Sequence, residues 1–273
     1  MKSNTHEGRT SGRVVQAVRA FGQTDTGLVR RANEDSFTMA ELSKAQRWRG
    51  DVAEWPTEGG VLLVVSDGMG GARAGEIASA LSVAGVLDGM LRATRGARDE
   101  LTDGDTLRRV IEQASGKVHE AAKRADRRGM GATLTAALVR GGTAYLAQIG
   151  DSRAYLLRGG RIGQVTHDQS YVQMLVDAGV MTQEEASSSP RRNVILQVMG
   201  QQAVRVAMGR ISLRCGDRLL LCSDGLTNVV DDSRISAIAR PPGDVAKACA
   251  ALVALTREGG APDNVTVILA EVR

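Results

Sequence analysis

Aromatic side chains are scarce in this chain of 273 residues: two Phe, three Tyr and two Trp. So few rings argue against a nucleic-acid binder that stacks bases on an aromatic platform. Cysteine is sparse too. Cys215, Cys222 and Cys249 are an odd set with no C-x-x-C pair, which disfavours a secreted disulfide framework and a zinc ribbon and fits a reducing cytoplasm. Only three His occur, His6, His119 and His167, none spaced with another His or with Cys as zinc requires. The start MKSNTHEGRTSGRVV lacks the apolar core of a signal peptide, and no apolar run approaches the roughly 18 residues that span a bilayer. Neither sign of charge dominates: 35 Lys and Arg face 31 Asp and Glu. Part of the small basic excess, Lys2, Arg9, Arg13 and Arg19, sits near the polar N-terminus and reads as a solvated end. The expectation is a soluble, cytoplasmic monomer with no nucleic-acid or membrane partner.

What is abundant is glycine, 32 residues, well above the usual share of about 7%. Gly supplies the positive φ values of tight connections, so many short turns are expected. The 42% hydrophobic and 24% charged content is ordinary for a globular chain. A chain of this length buries roughly three quarters of its unfolded surface and needs no disulfide or structural metal to fold.

With no Pro- or Ser-rich linker, residues 1–14 read as a flexible N-terminus and 15–273 as one domain. Val61 to Val65 predicts a fully buried strand that stops at Ser66-Asp67-Gly68. Ile77, Leu81, Ala84, Leu87 and Leu91 predict one helix stripe, and Leu107, Val110, Ile111, Ala114 and Val118 a second. Gly141-Gly142 separates the strand-like runs Thr133 to Arg140 and Thr143 to Ile149, a hairpin signal, and Gly159-Gly160 marks another after Ala154 to Leu157. Tight turns between strands predict antiparallel sheet. A helical pattern runs from Gln169 to Ala186, with a loop from Ser187 to Arg192. Further strands are expected at Asp217 to Ser223 and Val265 to Val272, and a helix around Val245 to Leu255. The segment from Glu41 to Gly60, which carries both Trp residues, reads as a surface excursion.

Four aspartates share one setting, beside a turn at the end of an apolar strand: Asp67 in VVSDGMGG, Asp151 in AQIGDSRAY, Asp224 in LLLCSDGL and Asp263 in APDNVTVIL. One such aspartate is ordinarily a turn-former. Four in one packed sheet system would crowd carboxylates that cannot all stay ionised without a cation. All-oxygen ligation suits hard ions such as Mg2+ or Mn2+, and a metal pair can activate water and clamp a phosphoryl group.

The ordered motifs TDTGLVRRANEDSF, VVSDGMGGARAGEIAS, GMGATLTAAL, IGDSRAYLLR, THDQSYVQMLVDAGVMTQEEA, PRRNVILQVMG, LLLCSDGLTNVV and APDNVTVILA cover the chain from about residue 20 onward. In them the chain resembles bacterial members of the metal-dependent protein phosphatase family (PPM, the type 2C serine/threonine phosphatases). The resemblance implies an α+β fold, an α/β/β/α sandwich of two antiparallel β-sheets flanked by helices, with a flap over residues 166–200. It also implies hydrolysis of phosphoserine and phosphothreonine in proteins by in-line attack of a metal-activated bridging water, with phosphorylated protein substrates and a cognate serine/threonine kinase as partners.

Carried over by position, Asp67 would bridge two core Mn2+ or Mg2+ ions and the Gly68 carbonyl would ligate the second. Asp224 and Asp263 would complete the first, with Asp35 acting through a water. Asp151 with Asp224 would support a third, weaker ion. Arg30 would grip the substrate phosphate, although its neighbour Arg31 competes for that role. Arg191 and Arg192 read either as an attractant for phosphorylated segments or as a solvated basic loop. Three positions depart from relatives: Met69 stands where animal members carry the His that protonates the leaving group, and Ala72 and Gln169 replace a frequent His. Two other classes are weaker readings. A non-catalytic phosphoprotein binder would have lost core carboxylates, and a nucleotidyl transferase would need a basic groove or a phosphate-cradling loop.

Overall fold

The computed structural model describes residues 14–70, 73–96 and 102–273. The expected flexible N-terminus, with His6, therefore lies outside the described residues apart from Val14, as does Ala72.

Two antiparallel sheets face each other. One contains β1 (Ala17–Asp25), β4 (Ala53–Pro56), β9 (Arg153–Arg158), β10 (Arg161–Gln164), β12 (Arg218–Cys222) and β13 (Val265–Val272), in the spatial order β10-β9-β12-β13-β1-β4. The other contains β2 (Asp35–Glu41), β3 (Gln46–Arg47), β5 (Val61–Met69), β7 (Leu134–Arg140), β8 (Thr143–Ile149) and β11 (Ala207–Ser212), in the order β11-β8-β7-β5-β2-β3, with β6 (Gly131–Ala132) paired to the end of β5. Helices α1 (Arg73–Arg95) and α2 (Asp103–Ala122) cover the second sheet. Helices α5 (Asp224–Thr227), α6 (Asp232–Ala239) and α7 (Val245–Glu258) lie with the first. The expected α/β/β/α sandwich is the observed one.

The central strands are continuously apolar because both their faces are covered. On β5, Val61, Leu63 and Val65 enter the core between the sheets, while Leu62 and Val64 enter the core under α1 and α2. On β12, Leu219 and Leu221 point between the sheets and Leu220 and Cys222 point toward α7. The hairpin predicted at Gly141-Gly142 joins β7 to β8, and Gly159-Gly160 joins β9 to β10.

Several expectations are corrected. The α2 stripe is buried as predicted, and so are Leu87 and Leu91 of the α1 stripe, but Ala84 is exposed and Ile77 and Leu81 are half-buried at the edge of the core. The buried face of α1 is shifted to take in Ala78, Ser82, Val86 and Met90. The two helices touch closely at Gly85 and Gly89, where an added Cβ would meet Ala114 and Val110, and this contact turns the buried face of α1 toward α2. By length and composition α1 is also apolar enough to cross a membrane, although most of its apolar window is buried in the fold; its scattered charges hid this from a search for apolar runs. The helix expected over Gln169 to Ala186 is two helices, α3 (Tyr171–Asp177) and α4 (Gln183–Ser188). Gly179, at φ +68°, follows α3, and Thr182 opens α4 with a capping box to Glu185.

The segment from Glu41 to Gly60 is not a surface excursion. It passes from one sheet to the other, pairing β3 with β2 and β4 with β1, and Trp55 is buried in the core between the sheets. Glu41 is buried as well, its carboxylate accepting the Ser43 and Lys44 amides of the turn that follows.

The intersheet core gives a direct stability test. Leu221, fully buried there, should cost about 2–5 kcal/mol when replaced by Ala. The cost is read as a lower denaturation midpoint at unchanged denaturant slope.

Candidate metal centre

Antiparallel pairing brings strand ends from distant parts of the chain to one end of the sandwich. Asp67, near the end of β5, lies opposite Asp35 at the start of β2. Asp224 opens α5 directly after β12, and Asp263 stands just before β13, the antiparallel neighbour of β12. Asp151 follows β8. Like charges directly opposite on neighbouring strands destabilise a sheet, so Asp35 and Asp67 already require compensation.

The carboxylates are held on one side and left open on the other. Asp35 accepts from Ser223 Oγ at 2.7 Å and from Thr266 Oγ1 at 2.6 Å, both on Oδ2. Asp224 Oδ2 accepts from Asn228 Nδ2 at 2.9 Å. Among the described residues, Asp35 Oδ1, Asp151 Oδ1 and Asp224 Oδ1 are buried with no hydrogen-bond partner. A buried carboxylate oxygen without a donor is costly, and three at one place call for a cation.

Protonation behaviour points the same way. Burial, and then the charges of Asp224 and Asp263, push Asp35 up to about 7 against the hydroxyl bonds that favour its ionised form. Asp67 is raised well above the carboxylate range by burial and by Asp35, Asp224, Asp263 and Asp151 around it. Burial, with Asp224 and Asp168, pushes Asp151 up to about 8. Asp224 is raised by burial and by Asp263. The cluster repels itself, which a divalent ion would reverse.

The residues fit a hard, partly hydrated ion. Among the described residues no three carboxylate, imidazole or thiol groups form a ready metal cage. Mg2+ in particular is commonly held by one or two carboxylates and keeps several waters. Backbone approach is also provided for. A Cβ on Gly68 would lie 2.1 Å from the Gly75 carbonyl oxygen, and one on Gly225 would lie 1.8 Å from that of Asn264, so only glycine fits either position.

Of the two neighbouring arginines, Arg30 is the one that reaches the cluster. Its Nη2 donates to Asp263 Oδ2 at 2.6 Å, and the bond holds its already high pKa higher still. A cleft of about 680 Å³ opens beside Asp151 and Asp224, lined on the flap side by Glu184, Ser187, Arg192 and Asn193. Arg192 thus faces the cleft, whereas Arg191 lies 5.7 Å over the Tyr171 ring. His167 pairs with Asp177 at 2.7 Å on the exposed flap, and the half-buried His119 bonds the Gly200 carbonyl oxygen. Gln169 exchanges two hydrogen bonds with Gly150, each 2.9 Å, fastening the flap root to the turn that carries Asp151.

The residues that hold the carboxylates in place were not singled out from the sequence: Ser223, Thr266, Thr133, Asn228 and Asn264. Thr133 Oγ1 accepts the Asp67 amide at 2.9 Å and lies 2.7 Å from Ser152 Oγ. The available signal was adjacency, since Ser223 and Asn264 each neighbour a candidate aspartate and Ser152 follows Asp151.

Comparison with known proteins gives this geometry its family. The profile described as protein phosphatase 2C matches residues 44–259. The chain is 38% identical over 264 residues to the serine/threonine protein phosphatase PstP of Mycobacterium tuberculosis, covering 95% of this chain and 46% of that protein. It thus spans about half the length of that relative. It is 32% identical over 251 residues to the serine/threonine phosphatase stp of Listeria monocytogenes, covering 91% of this chain and 94% of that one. Among solved structures, the catalytic domain of a serine/threonine protein phosphatase PstP in complex with two manganese ions superposes with a TM-score of 0.77 at 36% identity, covering 94% of this chain and 98% of that chain. A Streptococcus agalactiae serine/threonine phosphatase superposes at 0.80 with 31% identity, covering 94% and 100%. With its aspartates gathered at the strand ends of the same sandwich, the chain belongs to the protein phosphatase 2C family.

Proposed function

We propose that the chain is a metal-dependent serine/threonine protein phosphatase, with a catalytic domain over residues 15–273, that hydrolyses phosphoserine and phosphothreonine in proteins. One observation carries the reading: the convergence of Asp35, Asp67, Asp151, Asp224 and Asp263, three of them with a buried, unpartnered oxygen. In this reading Asp67, Asp224, Asp263 and the Gly68 carbonyl would hold two Mn2+ or Mg2+ ions. Asp35 would act through a water, and Asp151 with Asp224 would hold a third ion more weakly. When bound, such ions stabilise charge on the phosphoryl oxygens and lower the pKa of an attacking water.

The chain's own groups do the rest. Arg30 stays charged, and its side chain is 52% exposed, so its planar fork is accessible for a bidentate grip on a phosphate. The residues lining the cleft orient the phosphorylated segment between the Asp151–Asp224 side and the flap. Met69 carries no transferable proton, so protonation of the leaving alkoxide falls to water. Substrates in this reading are phosphorylated proteins, including a cognate serine/threonine kinase, in the cytoplasm, and the enzyme is a monomer.

Asp67→Asn and Asp224→Asn should abolish Mn2+-dependent release of phosphate from a phosphothreonine peptide. At alkaline pH, where the raised carboxyl groups ionise, the same variants should raise the melting temperature of the metal-free protein, since a neutral amide removes one repelling charge. Retained turnover in either variant would sink the assignment.

A pH test follows from the raised carboxyl groups. Asp35 and Asp151 are held up to about 7 and about 8, from an ordinary 3.8. Folding therefore takes up protons between these values, so their contribution to metal-free stability is greatest at low pH and is lost as pH rises through that window. Metal binding must displace those protons. The rise in melting temperature on adding Mn2+ should grow from about pH 5 to about pH 8, and a rise that does not change with pH contradicts the site.

A further inference from the structure

Arg30 stands on the connection between β1 and β2, residues 26–34, which contains neither helix nor strand. An arginine on an exposed loop is placed only as well as the loop is fastened. Asn33 Nδ2 ties the loop to Thr24 Oγ1 at 2.8 Å, but the side chain that holds it at most points is one buried amide beside Asp263. Asn264 is 4% exposed, and its Nδ2 donates to the carbonyl oxygens of Thr26 and Ala32, each at 2.9 Å. Its Oδ1 accepts the Glu34 amide at 2.8 Å. Both hydrogens of the side-chain amide are thus spent on carbonyls that bracket Arg30 in sequence, and the acceptor fixes the end of the same loop. The backbone adds two bonds, from the Leu28 amide to the Ala261 carbonyl oxygen at 2.9 Å and from the Gly68 amide to the Glu34 carbonyl oxygen at 3.1 Å. Gly27 lies so close to the turn that a Cβ would fall 2.2 Å from the Asp263 carbonyl oxygen.

We infer that Asn264 is a positioning residue for Arg30: its amide sets the loop from which Arg30 engages the substrate phosphate. The inference rests on the phosphatase reading above. All three side-chain partners of Asn264 belong to the loop, so its loss should act through Arg30 more than through the sheets. Asp at 264 would keep the acceptor for Glu34 but turn a lone pair toward the carbonyls of Thr26 and Ala32.

The test is a double-mutant cycle on kcat/KM for a phosphothreonine peptide, using Asn264→Ala, Asn264→Asp and Arg30→Ala with Mn2+ present. Mn2+ affinity is measured separately by calorimetry without substrate, and amide exchange is followed over residues 26–34. Each Asn264 variant should lower kcat/KM, mainly through KM, by up to on the order of 10²-fold, the scale of a misplaced binding group. Exchange across 26–34 should quicken and Mn2+ affinity should stay unchanged. Adding Arg30→Ala to either variant should cost little beyond Arg30→Ala alone, because residues acting as one unit are not additive. Multiplicative effects would overturn the inference, as would lost Mn2+ binding with KM unchanged, or failure of both Asn264 variants to fold. If Arg30→Ala leaves KM untouched, the role of Arg30 in the phosphatase reading falls instead.

Discussion

The ladder register gathers five carboxylates at one end of the sandwich, four of them, Asp35, Asp67, Asp151 and Asp224, desolvated, and their mutual repulsion is the constraint around which this end of the molecule is arranged. Asp35 and Asp67 face each other across two adjacent strands, and Asp224 and Asp263 flank the neighbouring pair in the other sheet. Packing between the sheets holds them there, because sliding either strand by one residue would turn its apolar side chains out of the core. The fold thus keeps an arrangement that is unfavourable by itself, a common trade at functional sites.

Neutral donors determine how that repulsion is presented. Ser223 and Thr266 both bond the same oxygen of Asp35, and Thr266 is in turn 2.7 Å from Thr24 Oγ1, which accepts from Asn33. Asn228 similarly takes one oxygen of Asp224. In each case the second oxygen is left without a donor. Hydroxyl and amide groups orient the carboxylates without neutralising them, which a lysine or arginine in the same places would do. Of the nearby arginines, Arg30 meets the partly exposed carboxylate of Asp263 at 2.6 Å, and Arg153 forks onto Asp168 at the flap root, with its shortest bond at 2.7 Å.

What could be read from the sequence was what is local. The hairpins at Gly141-Gly142 and Gly159-Gly160, the α2 stripe and the strand-end aspartates all depend on neighbours within a few residues, whereas the metal roles came from resemblance to a family. Features set by contacts across the fold were hidden. The face of α1 depends on Gly85 and Gly89 meeting a second helix. Strand β11, with its half-exposed alternation around Gly209 and Arg210, carries little apolar signal because it is an edge strand. Asn264 looks like an ordinary turn residue, since its partners lie more than 200 positions earlier.

The scarcity of aromatic residues takes on meaning in the same way. Phe21 on β1 and Phe37 on β2 belong to facing sheets, and both pack against Trp48, with ring centroids 5.7 and 5.3 Å away. Phe37 fits because Gly22 leaves room, where a Cβ would lie 2.4 Å from its ring. Trp55, a few residues on, is buried in the intersheet core. Four of the seven rings therefore belong to the segment that crosses between the sheets or to the strands it touches. Small aliphatic side chains suffice where strands are backed by regular neighbours, and large rings fill the seam where the chain changes sheet. The crossing is thus part of the core, and it delivers the chain to β5, the strand that carries Asp67.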